Sequence, residues 1–327
     1  MTAVTVVTDL DLPEIDYNQP GFGPETYHEE LAKAREHGWL AHSPLAFVVL
    51  DQESGDFFLR ARQTAFPGRQ IAELFGITQG PLYEHIDANI LNLTGDKHRR
   101  LRSLVGHAFT PRAADRWRPV MRDFLAQLWA GLGGATRTEF VAAIAQPYPS
   151  RTIAAVLGAP VEDAPRLYYW SNMVQRQFDI QALRLFAAHP DQWRLLAGQP
   201  ERCAKPAVTE VLRTEPIAPF TARIVLEDID HRGVRFPAGT IVAVCAERAN
   251  REIDGDAFDI TAARDGKLFT FGAGPHFCLG ANLARAELEE ALAFLAPRMP
   301  GLALDGEPVL GGVEGICNVE SLPLRWD

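Results

Sequence analysis

The 327-residue sequence predicts a mainly α fold with small β-sheets, organised as a single domain over residues 1–327. Three observations carry that reading. Apolar residues recur at helical spacing, with caps and breakers, through most of the chain; strand-like runs occur in only two places; and nothing alternates strand and helix as a parallel α/β sheet would. A composition of 47% hydrophobic and 23% charged residues supplies a large core and excludes a disordered or fibrous chain.

Taken in order, Leu45–Leu50 and Asp56–Leu59 read as strands. Thr94-Gly-Asp96 caps a helix from Lys97 to Phe109. Thr110-Pro111 opens the next, to about Leu132, with Thr as N-cap and Pro at the first helical position. Gly131–Thr136 follows a helix rather than a strand and lacks the Lys-Ser/Thr ending of a phosphate loop, so it reads as a helix-ending loop. Further helices are expected over Thr138–Leu157, Ala164–Gln177, Gln181–Leu196 and Lys205–Thr214, the last halted by Pro216. Two more strands follow, Ala222–Leu226 and Thr240–Ala246, separated by turn residues. Leu279, Leu283, Leu288, Leu292 and Leu295 then recur at helical spacing until Pro297.

The formal charge of −10 argues against non-specific nucleic-acid binding. The four cysteines, Cys203, Cys245, Cys278 and Cys317, are too dispersed for a paired zinc site or a disulfide scaffold. Apolar runs such as Ile241–Ala246 fall far below the length of a membrane span, and the acidic start lacks the pattern of a secretory signal. The expectation is a soluble cytoplasmic protein without a membrane or nucleic-acid partner.

Chemistry concentrates in Phe271-Gly-Ala-Gly-Pro-His-Phe-Cys-Leu-Gly280 and the helix behind it. Two glycines and a proline ahead of Cys278 specify a tight loop, and the leucine periodicity places Cys278 at a helix N-terminus. There the helix dipole favours a thiolate, the form that binds metal or attacks electrophiles. The alternative for an isolated cysteine is a small buried hydrophobe. A Cys-dependent hydrolase using Cys278 with His276 would require the two to meet in space, which adjacency in sequence does not establish.

Phe271, Gly274, Cys278 and Gly280 match in order and spacing the F-x-x-G-x-x-x-C-x-G haem signature of the cytochrome P-450 family, the haem-thiolate monooxygenases. Glu210-Val-Leu-Arg213, 65 residues before Cys278, resembles the family's E-x-x-R pair; three residues apart on a helix, the two side chains share a face. The stretch His98–Arg112 is similar to the family's C helix. The resemblance implies a cytochrome P-450-like domain holding haem b (iron protoporphyrin IX), with Cys278 as the iron ligand. It implies that Phe271, Gly272, Gly274, His276 and Gly280 form the haem loop, and that His98, Arg102, Arg223 and His276 hold the propionates. Two carboxylates on a buried apolar ring call for such cationic partners. Glu210 and Arg213 are the implied structural pair. Pro219 and Phe220, like Ile86–Leu93, match segments that face substrate.

The same resemblance implies insertion of one oxygen atom of dioxygen into a small apolar organic substrate by a monomeric enzyme. Electrons would come from a ferredoxin-like donor with an NAD(P)H-dependent reductase, docking on the basic run Lys97–Arg112 or leaving it as a solvated helix face.

Two departures stand out. The arginine that completes the family's Glu-Arg-Arg network is Ala257 here, leaving Arg251 and Arg264 as possible substitutes. Arg102 and Glu210 are only 108 positions apart, and the central-helix motif A/G-G-x-D/E-T, with its acid-alcohol pair, is absent. Trp170–Asp179 resembles the start of a covering helix and Gln181–Pro190 the tail of the central one, joined at Ile180–Gln181. Either the chain carries an internal deletion or the sequence is written around an unrepresented segment. The corresponding functional alternative is a non-catalytic haem-binding protein.

Overall fold

The computed structural model describes residues 4–16, 26–166, 176–264, 266–310 and 319–326. In chain order its helices are α1 (Tyr27–His37), α2 (Gln52–Arg60), α3 (Gly68–Leu74), α4 (Pro81–Ala88), α5 (Gly95–Gly106), α6 (Pro111–Asp115), α7 (Arg118–Gly131), α8 (Pro147–Leu157), α9 (Arg176–Ala188), α10 (Pro190–Gly198), α11 (Pro200–Thr214), α12 (Ala246–Arg251) and α13 (Ala281–Leu295). Proline is the first residue of α4, α6, α8, α10 and α11. Its fixed φ suits the first helical turn, and its missing N–H is one that the turn would leave unbonded. No helix among the described residues is long and apolar enough to cross a membrane.

The chain forms two compact units. The first comprises residues 1–107, 220–253 and 267–279. Its centre is a five-stranded sheet in the order Leu40–His42, Phe47–Val49, Ile241–Cys245, Phe220–Val225, Thr64–Ala65. Phe58, Leu59, Val225, Val242, Val244 and Phe269 belong to its apolar core. The second unit comprises residues 108–219, 254–266 and 280–327. There α13 packs on α6, α7 and α11, burying Leu283, Leu288, Leu292 and Leu295, the periodic leucines of the sequence.

Several boundaries differ from expectation for local physical reasons. Asp56–Leu59 is helical, not a strand: the Asp51 carboxylate caps α2 by accepting from the Ser54 N–H at 2.9 Å, and Ser54, Gly55, Phe58 and Leu59 bury one helical face. The helix expected over Pro111–Leu132 divides into α6 and α7, because Pro119 has no N–H to offer the Asp115 carbonyl. Thr138 belongs to a strand, Arg137–Glu139, paired with Pro323–Arg325; a π turn over Val141–Ala145 then leads to α8. Pro190 divides the stretch Gln181–Leu196 between α9 and α10, and α11 starts at Pro200 rather than Lys205. The helix expected over Ala164–Gln177 lies largely outside the described residues. The junction noted in the sequence, Ile180–Gln181, falls within α9.

Candidate functional site

The loop before Cys278 is built by two glycines in the left-handed region. Gly272 (φ +68°) donates its N–H to the Phe269 carbonyl at 2.7 Å, and Gly274 has φ +71°. A Cβ on Gly274 would lie 2.5 Å from the Leu59 carbonyl oxygen, so the loop approaches α2 more closely than any side chain allows. Phe277 N–H then bonds Gly274 O at 3.1 Å, and Cys278 N–H bonds Phe271 O at 2.9 Å. Phe271 is thereby buried while Cys278 is exposed. The alternative of a buried, inert Cys278 does not describe this geometry. Helix α13 begins at Ala281 with Gly280 as its cap residue, so Cys278 stands in the turn two residues ahead of the cap rather than at the helix N-terminus itself.

Cationic and imidazole groups converge near this loop. His98 is the one buried residue of α5, and its ring centroid lies 4.2 Å from that of His276. One turn further along α5, the Arg102 guanidinium donates to the Phe277 carbonyl. Arg223, on the strand Phe220–Val225, is only 3% exposed; its guanidinium donates to the Ala222 carbonyl at 2.9 Å, and no carboxylate pairs with it among the described residues. Burial alone pushes the Arg223 pKa down to about 10. Burial, then the neighbouring His98, Arg223 and Arg102, pushes His276 down to about 4, so its imidazole is neutral at physiological pH. His98 is lowered as well, by burial and by Arg102 and Arg99. The His276 Nδ1 atom is buried with no hydrogen-bond partner.

A buried guanidinium without a counter-ion and an orphaned buried ring nitrogen cost free energy unless something completes them. The missing component is an anion with several acceptor oxygens beside an exposed thiol. The paired carboxylates of a haem, whose iron accepts a thiolate, have that chemistry. The residues present therefore fit the cofactor.

In the second unit, Arg213 holds Glu210 through two nitrogens at 2.8 and 2.9 Å and donates to the carbonyls of Gly255 and Ala257. Asp259 N–H bonds the same carboxylate at 2.9 Å. Arg264 also pairs with Glu210, and its Nε reaches Asp254 at 3.0 Å. Although burial opposes it, these contacts hold the Glu210 pKa below its usual value. Of the two arginines that could replace the one missing at Ala257, Arg264 takes the place; Arg251 pairs instead with Glu247 on its own helix. Pro219 is buried, and Phe220 is half-buried on a strand where it pairs with Cys245.

Helical and sheet content, the cysteine loop and the cation cluster are of the kind a haem-thiolate protein would use. Comparison with known proteins is more specific. The cytochrome P-450 family profile matches residues 204–295. Luteothin monooxygenase of Streptomyces thioluteus is 32% identical, with 99% of this chain and 98% of that protein aligned. The biotin biosynthesis cytochrome P-450 of Bacillus subtilis (strain 168) is 29% identical over 70% of this chain and 78% of its own length. Among solved structures, a P-450 in complex with hexadec-9Z-enoic acid-ligated acyl carrier protein superposes with a TM-score of 0.83 at 22% identity, covering 93% of this chain and 99% of its own. The chain belongs to the cytochrome P-450 family and is a monooxygenase of that family. The alignment to the Streptomyces enzyme runs over 404 residues, more than the 327 present here, so that relative carries residues within the aligned span that this chain lacks.

Proposed function

We propose that this protein is a haem b monooxygenase in which Cys278 ligates the iron and His98, Arg102, Arg223 and His276 receive the propionates. The observation that carries the reading is the buried, unpaired Arg223 beside the orphaned His276 Nδ1, in the same unit as the exposed Cys278 thiol. When bound, the haem supplies dioxygen activation for insertion of one oxygen atom into a small apolar substrate.

The chain's own residues bind and orient. The Cys278 N–H bond to the Phe271 carbonyl ties the two ends of the loop together, and Gly272 and Gly274 make its left-handed turns. Arg223, buried and without a counter-ion among the described residues, would supply a poorly screened positive charge to one carboxylate. The neutral imidazoles of His98 and His276 donate hydrogen bonds without adding further charge. Lys97, Arg99 and Arg100 project from the exposed side of α5, a cationic face against an otherwise acidic chain, and suit an acidic ferredoxin-like donor supplied by an NAD(P)H-dependent reductase.

A reduced carbon monoxide difference spectrum tests the assignment. The haem-thiolate absorption is expected for the native chain and should vanish in Cys278→Ala while some haem is retained. A native spectrum of the imidazole-ligated or ligand-free type would overturn it. One observation favours the non-catalytic alternative: the acid-alcohol motif is missing from a chain shorter than its aligned relative. A chain with the thiolate spectrum that forms no product with substrate and donor would decide for that reading.

A further inference from the structure

Helices α8, α9 and α13 enclose two carboxyl side chains in the second unit, Asp179 on α9 and Glu287 on α13, each only 5% exposed. The hydrogen-bond donors around them are already committed. The Tyr148 hydroxyl donates to the Glu287 backbone carbonyl at 3.0 Å, and the Thr152 hydroxyl donates to the Tyr148 carbonyl at 3.1 Å. The Thr152 hydroxyl is the one group near the Glu287 side chain that favours its charged form, and burial and Asp179 outweigh it. The Glu287 Oε1 atom is buried without a partner. Five arginines of this unit are engaged with other acids: Arg118 with Asp115, Glu289 and Glu290, Arg122 with Glu290, Arg184 with Glu215, and Arg213 and Arg264 with Glu210. Two carboxylates without donors or counter-ions could not share such a volume.

We propose that Asp179 and Glu287, both held as neutral carboxylic acids, form a proton-dependent latch that docks α9 against α8 and α13, and that loss of either proton releases α9. Burial pushes the Asp179 pKa up to about 8, and burial together with Asp179 raises Glu287 well above its usual range. Tyr148 is raised in the same way and stays protonated. The latch is therefore closed in acid and at neutrality and opens on the alkaline side. Ile180, Ala182, Leu183 and Phe186 provide the apolar face that α9 exposes on release, and the Phe186 ring packs 5.1 Å from that of Trp193 on α10, tilted by 52°.

The test is the pH dependence of α9 opening in the intact chain, followed by cleavage within α9 by a protease whose own pH profile is measured on an unfolded substrate. The corrected opening constant is expected to rise by up to about tenfold per pH unit for each retained proton between pH 5 and 8. Asp179→Asn and Glu287→Gln should each flatten the profile, and the double variant should remove it. In parallel, infrared spectra of the native chain at pH 6 should show protonated carboxyl bands that the two variants lose. Slopes unchanged in both variants, or infrared spectra of the native chain without those bands, would overturn the proposal. The infrared arm on the native chain needs no variant to fold.

Discussion

Arg264 reaches the Glu210 carboxylate across 54 positions of sequence and completes a site that Arg213, three residues from Glu210, half builds. The carboxylate thus faces two guanidiniums and the Asp259 N–H, all within one unit. This arrangement ties α11 to the loop Asp254–Arg264, whose Gly255 and Ala257 carbonyls close on the Arg213 fork.

Removing either cation should destabilise the protein by unequal amounts. Arg213→Ala removes the two-nitrogen fork from a buried carboxylate and the donor to the Gly255 and Ala257 carbonyls, and is expected to cost about 3–5 kcal/mol. Arg264→Ala, which leaves the Arg213 fork in place, should cost roughly 1–2 kcal/mol, close to a charge-assisted hydrogen bond. Urea unfolding of the two variants measures both. Because the Glu210 pKa is lowered in the folded state, its contribution is present above pH 4.5 and is lost as pH falls through the folded value, so the deficit of both variants should shrink in acid, with Arg213→Ala retaining the loss of its bonds to the Gly255 and Ala257 carbonyls.

Gly274→Ala should damage the haem loop selectively. The substitution combines a left-handed backbone with a Cβ placed 2.5 Å from the Leu59 carbonyl oxygen, so backbone must move. A loss of about 1–3 kcal/mol is expected from strain of this type. The measurable signature is haem occupancy falling further than helix content on circular dichroism. Gly131→Ala, at the end of α7 with open space at its Cβ and no left-handed φ, provides the contrast and should load haem normally.

Arg223→Gln separates stability from cofactor binding. The buried guanidinium has no counter-ion within the chain, so replacing it should stabilise the haem-free protein by about 1 kcal/mol or more. Haem affinity should fall at least tenfold. Thermal unfolding of the haem-free form and haem transfer to an acceptor protein read the two effects, and a fall in both would remove the argument that Arg223 is held in reserve for an anion.

His276 should remain neutral in the haem-free protein across the range where histidines ordinarily titrate, with an imidazole midpoint near 4 by NMR. The unfolded chain takes up a proton near pH 6.5 while the folded one does not. Stability therefore falls as pH drops from 6.5 towards 4 and is unaffected by this group above 6.5. His276→Asn should flatten that limb of the profile by at most about 1.4 kcal/mol per pH unit.

What could be read from the sequence divides along physical lines. The haem loop was legible because short-range rules govern it: glycine at left-handed positions, a fixed Phe-to-Cys spacing, and leucines at helical period behind it. The Glu210–Arg213 pair was legible for the same reason, since three residues on a helix set a contact. The strand expected at Asp56–Leu59 failed because a short apolar run has no period of its own, and the capping carboxylate of Asp51, outside that run, decides the matter. Helix α4 escaped notice because it buries no residue, so it leaves no amphipathic signature of a packed face.

The sequence by itself determined the fold class and the tight loop before Cys278, because these depend on backbone preferences and spacings within a few turns of chain; the groups suited to a haem were implied by the resemblance to a known family. Only the tertiary structure decided that Arg264 rather than Arg251 faces Glu210, that His98 meets His276 across 178 positions, that Arg223 is buried without a counter-ion, and that Asp179 and Glu287 share a dry volume. Desolvation and charge pairing belong to the space between distant segments, and no local rule of sequence encodes which side chains that space will bring together.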